Sequence, residues 1–187
     1  VNERWEELEL HPEWSFADRS KYPSLETLFE QANNVYRKFP GVRFVAVHVA
    51  GYSENLKAVS GWLDELPNLH IDTAARIGEL GKHPAYEGHD FFTKYQGRIM
   101  FGTDLAFWSG CDVQGAGPCK DFTLEEHRKF YEIHWRYLQT SDKQFDHPTP
   151  IQGKWKIDGI GLDEEALRKI YWDNAVRFYR LDRFGVA

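Results

Sequence analysis

Three polar residues that can do acid–base or metal chemistry stand where apolar runs of the sequence stop: His48, Asp72 and Asp104. Imidazole nitrogen and carboxylate oxygen are ligands of a catalytic zinc ion, which keeps one position open for water. Water on such an ion ionises near neutral pH, and a neighbouring carboxylate can accept the proton. We therefore interpret His48 and Asp104 as candidate catalytic residues and metal ligands. Asp72 is the weaker candidate, because binding the amides of the next loop would explain it.

The segments before these residues are typical of β-strands. Arg43–His48, Leu69–Thr73 and Arg98–Asp104 are short apolar runs, and such runs indicate strands buried on both faces. Helical periodicity separates them, and an alternation of strands and helices predicts parallel strands joined by right-handed crossovers. The carboxyl ends of parallel strands share one face, where ligands bind. We therefore expect the three polar side chains to converge.

Four helix starts are predicted from capping residues. Ser24, Ser53 and Asp163 each precede a helical pattern, and Thr123 forms a full capping box with Glu126. A short final helix is predicted to begin at residue 174. The helix from Ser53 connects the first two predicted strands, and helical patterns near residues 75–80 and 85–95 lie between the second and the third.

Two stretches, residues 105–122 and 140–161, are predicted to be irregular because they are rich in glycine, proline or aromatic residues. The first contains the only two cysteines, Cys111 and Cys119. A loop-closing disulfide is one possibility, but two thiols do not make a disulfide framework, and we expect both to be free.

The composition of the 187-residue chain is that of a globular protein, with 42% hydrophobic and 16% aromatic residues and a net charge of −6. No basic block indicates nucleic-acid binding, and no apolar run is long enough for a bilayer. We expect a small-molecule substrate and neither nucleic-acid nor membrane partners. A homo-oligomeric state is also possible. The cytoplasm is favoured as the location, although the first residues lack an initiator methionine.

A family resemblance covers nearly the whole chain. The segments Phe44–Gly51, Pro67–Thr73 and Arg98–Asp104, in this order and spacing, resemble consecutive strands of the amidohydrolase-related family, and the segment Leu162–Ala175 resembles its C-terminal helix. This group includes relatives of aminocarboxymuconate-semialdehyde decarboxylase. The resemblance implies a (β/α)8 TIM barrel. Residues 1–187 would then be a single, partial α/β barrel domain that holds strands six to eight.

The resemblance also implies roles for the polar residues. His48 corresponds to a catalytic or metal-neighbouring histidine, and Asp104 to a metal ligand that accepts a proton. The family site also uses a His-x-His pair on strand one and a histidine on strand five. The sequence has no His-x-His, and His11 follows residues 5–10, which do not read as a buried strand. We therefore expect the other ligands upstream of Val1, and we expect the isolated fragment to be inactive.

Two further residues are candidates for the mouth of the site. Arg76 could bind a substrate carboxylate in bidentate fashion, or it could form an ion pair with Glu79 at i,i+3 spacing. Trp108 could wall the pocket or simply pack. The sequence does not decide between these alternatives.

The function expected from all of this is a metal-dependent hydrolase of a small amide, ester or lactone. The divalent metal is expected to be zinc, with manganese as the alternative. A non-oxidative decarboxylase of the same family would use the same residues. A hypothesis from another class is a non-catalytic α/β binding fragment, which predicts no metal and no dependence on His48 or Asp104.

Overall fold

Three short parallel strands form the central sheet of the protein. The structure, a computed structural model, describes residue 8 and residues 12–115, 117–150 and 153–185. Strands β1 (Phe44–Ala46), β2 (Leu69–Asp72) and β3 (Ile99–Met100) lie in the order β1-β2-β3. Both pairings are parallel. The predicted mixed α/β class with consecutive parallel strands is therefore confirmed.

Helices precede and connect these strands. Helix α1 (Leu25–Lys38) precedes β1, and α2 (Leu56–Glu65) lies between β1 and β2. The connection from β2 to β3 holds the short helix α3 (Ile77–Leu80) and helix α4 (Ala85–Tyr95). Because both pairings are parallel, the carboxyl ends of all three strands lie at the same edge of the sheet.

Three of the four predicted caps are confirmed. The side chains of Ser24 and Asp163 accept the expected backbone hydrogen bonds, and Thr123 forms the complete capping box. The prediction for Ser53 is wrong. Ser53 is buried in the preceding turn, and the side chain of Asn55 instead accepts from the amide of Ala58 at 3.0 Å.

The core lies between the sheet and its helices. Leu69, Ile71 and Ile99 on the strands have no exposed surface, whereas His70 between them is partly exposed and packs on Phe178. This alternation shows that β2 buries one face more completely than the other. The helices contribute apolar side chains to the same cluster, among them Leu56, Val59, Leu63, Ile77, Leu80, Phe91, Phe92, Tyr95, Tyr137, Leu138 and Ile170.

Two antiparallel hairpins occupy the stretches that were predicted to be irregular, so this part of the prediction is wrong. Strands β4 (Leu105–Trp108) and β5 (Cys111–Gln114) form the first, and β6 (Phe145–Asp146) and β7 (Lys156–Ile157) form the second. The first hairpin turns through the two residues between the paired Trp108 and Cys111. A Ser-Gly turn between two short runs was the signal that could have indicated it.

The two cysteines form a disulfide, which corrects the expectation of two free thiols. The Cα atoms of Cys111 and Cys119 are 5.5 Å apart, within the ordinary range for a disulfide. The backbone decides this pairing. Asp112 on β5 forms an antiparallel β-bridge with Lys120, and this bridge brings Cys119 close to Cys111. The sequence could not show that return of the chain.

The C-terminal helical region binds to the end of the sheet. After α5 (Leu124–Gln139), helix α6 (Glu164–Arg168) runs through a π-helical turn (Lys169–Asp173) into α7 (Asn174–Tyr179). The buried side-chain amide of Asn174 donates to the carbonyls of Gln96 and Ile99 at 2.6 and 2.7 Å. The predicted short final helix does begin at residue 174, and the π-helical turn makes it continuous with the preceding helix. In the described part of the chain, no helix is long and apolar enough to cross a membrane.

Candidate active site

The chain leaves β1 through a left-handed turn that carries His48. β1 ends at Ala46, and the φ angles of His48, Val49 and Ala50 are 60°, 55° and 56°. Left-handed backbone costs an L-residue roughly 1–2 kcal/mol, and a β-branched residue rarely adopts it. Val49 is only 1% exposed, so its burial offsets part of that cost. His48 is thus held beyond the strand rather than on it, which differs from the predicted strand end.

Asp72, at the end of β2, stabilises this turn. Its Oδ1 accepts hydrogen bonds from the amide of His48 at 2.7 Å and from the amide of Ala74 at 3.2 Å. Burial raises the pKa of Asp72 above its ordinary value, while the two amide hydrogen bonds oppose that shift. The carboxylate therefore ties the exit of β1 to the exit of β2. The weaker role considered for Asp72, binding loop amides, is what the structure shows.

The imidazole of His48 is oriented through one ring nitrogen. Nδ1 lies 2.8 Å from the carbonyl oxygen of Ala74. A carbonyl can only accept, so Nδ1 carries the proton, and in the neutral ring the lone pair is on Nε2. Histidines that bind metals commonly donate their other nitrogen to a carbonyl in this way. Nε2 is therefore the atom through which His48 would act.

Asp104 stands at the exit of β3, in a position that also requires left-handed backbone. Its φ is 62°, its side chain is exposed, and its carbonyl accepts from the amide of Gly115 at 3.1 Å. The hydroxyl of Thr73 joins this exit to that of β2, because it donates to the carbonyl of Gly102 at 2.9 Å. Asp104 therefore lies where the sheet meets the first hairpin.

The three polar residues are brought to one edge of the sheet. The charge of Asp104 adds to the rise in the pKa of Asp72, and the charge of His48 opposes it, so the Asp72 carboxyl senses both. His48, Asp104 and Ala75 after β2 all have positive φ, and strained backbone of this kind clusters at functional sites. The roles of His48 and Asp104 in catalysis stay predictions.

Arg76 lies next to this edge and forms the ion pair that was one of its two alternatives. Its Nη1 is 3.3 Å from Oε1 of Glu79, a carboxylate that is only 1% exposed. The same nitrogen lies 3.3 Å from the carbonyl of Ala75. A role for Arg76 in binding a substrate carboxylate stays a prediction.

Trp108 is on β4 and is 66% exposed, so it does not pack in the core, and its role in walling a pocket stays a prediction.

His11 lies outside the described residues. Five further histidines each lie within hydrogen-bond distance of a protein group through a ring nitrogen, as expected for structural residues. They are His83 (Ser53 carbonyl), His89 (Ile160 carbonyl), His127 (Asp112 and Gln114 side chains), His134 (Phe130 carbonyl) and His147 (Gly153 carbonyl).

One connection near the site was not predicted from the sequence. Nε2 of His127, on α5, lies 3.0 Å from Asp112, and its Nδ1 lies 3.1 Å from the side-chain amide of Gln114. Both partners are on β5, so this contact fastens the hairpin that begins after Asp104 to a helix. The alternation of Asp112 and Gln114 on one face of a strand was the available signal.

The donor types at the edge suit a divalent metal, but their number is too small. A catalytic zinc site uses three protein ligands, and His48 and Asp104 offer one nitrogen and one carboxylate. Among the described residues, no group of three or more His, Cys, Asp or Glu side chains could hold a metal ion. These residues alone therefore do not complete a metal site.

Comparison with known proteins identifies the family. The model of the Amidohydrolase family matches residues 10–181, which is most of the chain. The protein therefore belongs to the amidohydrolase family, as the sequence resemblance implied, and this membership indicates an enzyme of hydrolase type. Searches among curated proteins and among solved structures found no match.

Proposed function

We propose that the protein is a metal-dependent hydrolase that cleaves the amide, ester or lactone carbonyl of a small organic substrate, with His48 and Asp104 at its active site. Family membership supports the reaction class. The observation that carries the residue assignment is the hydrogen bond from His48 Nδ1 to Ala74, because it fixes the ring with Nε2 as its acting nitrogen. The three parallel strands would be strands six to eight of a (β/α)8 barrel, whose active sites lie at the carboxyl ends of the strands.

Each residue has a distinct task in this proposal. Asp104 accepts a proton from the attacking water while the oxygen of that water bonds to the carbonyl carbon. It then returns that proton to the departing amine or alcohol, so the proton balance closes. His48 acts through Nε2: with its lone pair free it binds the metal ion, and with a proton there as well it donates to the carbonyl oxygen. Asp72 holds the His48 turn in place. In this proposal Arg76 would bind a substrate carboxylate beside its ion pair with Glu79.

A divalent metal, zinc or manganese, would be held by Asp104 and His48 together with ligands outside the described residues. When bound, such an ion supplies Lewis acidity at the reacting carbonyl. The alternative, a non-oxidative decarboxylase of the same family, would use the same residues with the ion as an electron sink. The reaction product distinguishes the two activities.

The test uses the protein expressed from its complete open reading frame. Metal content is measured, and hydrolysis of a panel of small esters, lactones and amides is followed before and after chelation. We expect Asp104→Asn to lower kcat by roughly 10²–10⁴-fold, the typical contribution of a general acid–base group. The matched control is Asp90→Asn, which changes an exposed carboxylate on α4 and should leave kcat within about twofold.

The outcomes discriminate between the hypotheses. Unchanged metal content and activity in Asp104→Asn would show the site assignment to be wrong. Release of carbon dioxide without hydrolysis would replace the hydrolase with the decarboxylase. A protein that binds no metal and turns over no member of the panel would favour a non-catalytic module.

A further inference from the structure

A cavity of about 300 Å³ lies beside the candidate active site, and neither the family match nor the predicted catalytic residues account for it. It lies between the end of the β4–β5 hairpin and the loop before residue 151. Its volume is at the lower end of the range for ligand pockets, which is enough for one ring. The side chains that matter here are Gln114, Pro118, Lys120, Phe122, Pro148 and Pro150.

The backbone connects this cavity to Asp104. Gln114 pairs with Leu105, the residue after Asp104, and the amide of Gly115 donates to the Asp104 carbonyl at 3.1 Å. Gly115 has a φ of 59°, and a Cβ there would lie only 2.9 Å from Cγ2 of Thr149. The hairpin, the proline-containing loop and the exit of β3 therefore meet at this point. The cavity is therefore joined to Asp104 through the backbone of the hairpin.

The walls of the cavity contain few side chains that can change rotamer. Three of the lining residues are prolines, whose rings restrict the backbone and have no rotamers to rearrange. The ring of Phe122 lies 5.7 Å from the ring of His127 and 4.3 Å from Lys120 Nζ. His127 is itself fixed by Asp112 and Gln114. A preorganised wall lowers the entropy that binding must offset.

The charge at the cavity is compensated. Nζ of Lys120 lies 2.9 Å from Oε1 of Glu126. A hydrogen bond from the Thr123 backbone, with help from Lys120, lowers the pKa of Glu126 to about 2, so this carboxylate is ionised at neutral pH. The remaining walls are mainly apolar rings. An uncharged apolar occupant therefore suits the cavity better than an anion.

We propose that this cavity is a subsite for an uncharged, ring-sized apolar group of the substrate, attached to the carbonyl that reacts at Asp104. Phe122 and the three prolines would form the apolar walls around that group, with Gln114 at the hairpin end of the cavity. The link to catalysis rests on the proposed function, whereas binding of the ring itself does not. The inference narrows the substrate class to carbonyl compounds with one cyclic apolar substituent.

Binding of small probes to the protein from the complete open reading frame tests this by ligand-observed NMR. Benzamide carries the ring and a neutral carbonyl group, acetamide lacks the ring, and 4-carbamoylbenzoate adds a charge at the far end of the ring. We expect benzamide to bind at least about tenfold more tightly than either of the others, which corresponds to about 1.4 kcal/mol.

Variants on the two sides of His127 give the matched control. Phe122→Ala removes a cavity wall and should weaken benzamide binding about tenfold, a loss of about 1.4 kcal/mol. Phe122→Leu should keep part of the affinity for benzamide that Phe122→Ala loses. Phe107 also contacts His127, with the ring centroids 5.8 Å apart, but it is 71% exposed and is not among the lining residues. Phe107→Ala should leave benzamide binding unchanged, and thermal melts of all three variants check that the fold is kept.

Equal loss of binding in Phe107→Ala and Phe122→Ala would overturn the subsite, as would equally tight binding of acetamide or of 4-carbamoylbenzoate. Asp104→Asn separates this inference from the proposed function, because it should keep benzamide binding. If that variant retains both benzamide binding and activity, the catalytic assignment fails while the subsite stands.

Discussion

The parallel sheet and the β4–β5 hairpin meet at Asp104, but different interactions hold them. The strands of the sheet bury Leu69, Ile71 and Ile99 completely. The hairpin buries little of β4, and covalent and polar contacts fasten it: the Cys111–Cys119 disulfide, the His127 contacts and the Lys120–Glu126 ion pair. Apolar burial stabilises a whole domain, whereas such contacts position one segment. The comparison indicates that stability resides in the sheet and the shape of the candidate site in the hairpin.

The strained turns at the strand exits depend on that difference. Three consecutive residues after β1 keep left-handed backbone only because a buried valine and the Asp72 carboxylate hold them. A hairpin with half-exposed strands could not supply such restraint. The residues that need fixed geometry therefore stand on the sheet side of the site.

The largest effect is expected from a core truncation in β2. Ile71→Ala should lower the free energy of unfolding by about 2–5 kcal/mol, because it removes buried methyl groups and leaves a cavity. Phe107→Ala in the hairpin should change it by less than about 0.5 kcal/mol. Urea unfolding measures both values. Similar losses in the two variants would contradict the comparison.

Low pH should lower the free energy of unfolding through His134, which lies on α5, the helix that borders both regions. Burial lowers the pKa of His134 to about 4, against an ordinary value of 6.5. The unfolded chain therefore takes up a proton below about pH 6.5 while the folded protein does not, and stability falls as the pH drops from about 6.5 to about 4. The loss should reach about 3 kcal/mol, at about 1.4 kcal/mol per pKa unit.

His134→Leu is the matched variant for this prediction, because leucine fills a similar volume and does not titrate. Its melting temperature should be less sensitive to pH over this window than that of the unaltered protein. The same pH dependence in both proteins would rule out His134 as the source.

Removing the disulfide should loosen the hairpin alone. In the double variant Cys111→Ser/Cys119→Ser, we expect about 2–3 kcal/mol less protection of the β4 and β5 amides against hydrogen exchange, since the link closes a short loop. The β1–β3 amides should keep their exchange rates. A uniform loss of protection in both regions would mean that the hairpin and the sheet unfold as one unit.

A smaller loss of stability than in the core or at the disulfide is expected at Asp72. Asp72→Ala leaves the amides of His48 and Ala74 without their acceptor and should cost about 1–2 kcal/mol. Asp72→Asn keeps an oxygen in place and should recover most of that loss. The amide resonance of His48 in an NMR spectrum reports the turn directly; if it stays unshifted in Asp72→Ala, the carboxylate does not hold the turn.

The fold was predictable where the signal was local. Apolar runs indicated the three strands, and the capping residues Ser24, Thr123 and Asp163 marked helix starts because a cap needs only its own next turn. The hairpins were missed because their pairing joins short segments with little periodicity. Ser53 failed as a cap because tertiary packing buried it in a turn.

The sequence alone determined the family, the order of the parallel strands and the edge of the sheet where His48, Asp72 and Asp104 would gather. These follow from hydrophobic patterns and from the handedness of crossovers, which any chain of L-residues obeys. Only the tertiary structure decided that His48 sits in a left-handed turn held by Asp72, that the cysteines pair, and that a cavity opens at the end of the β4–β5 hairpin. Those features arise from contacts between residues distant in sequence, and their energies depend on the surroundings that the whole fold creates.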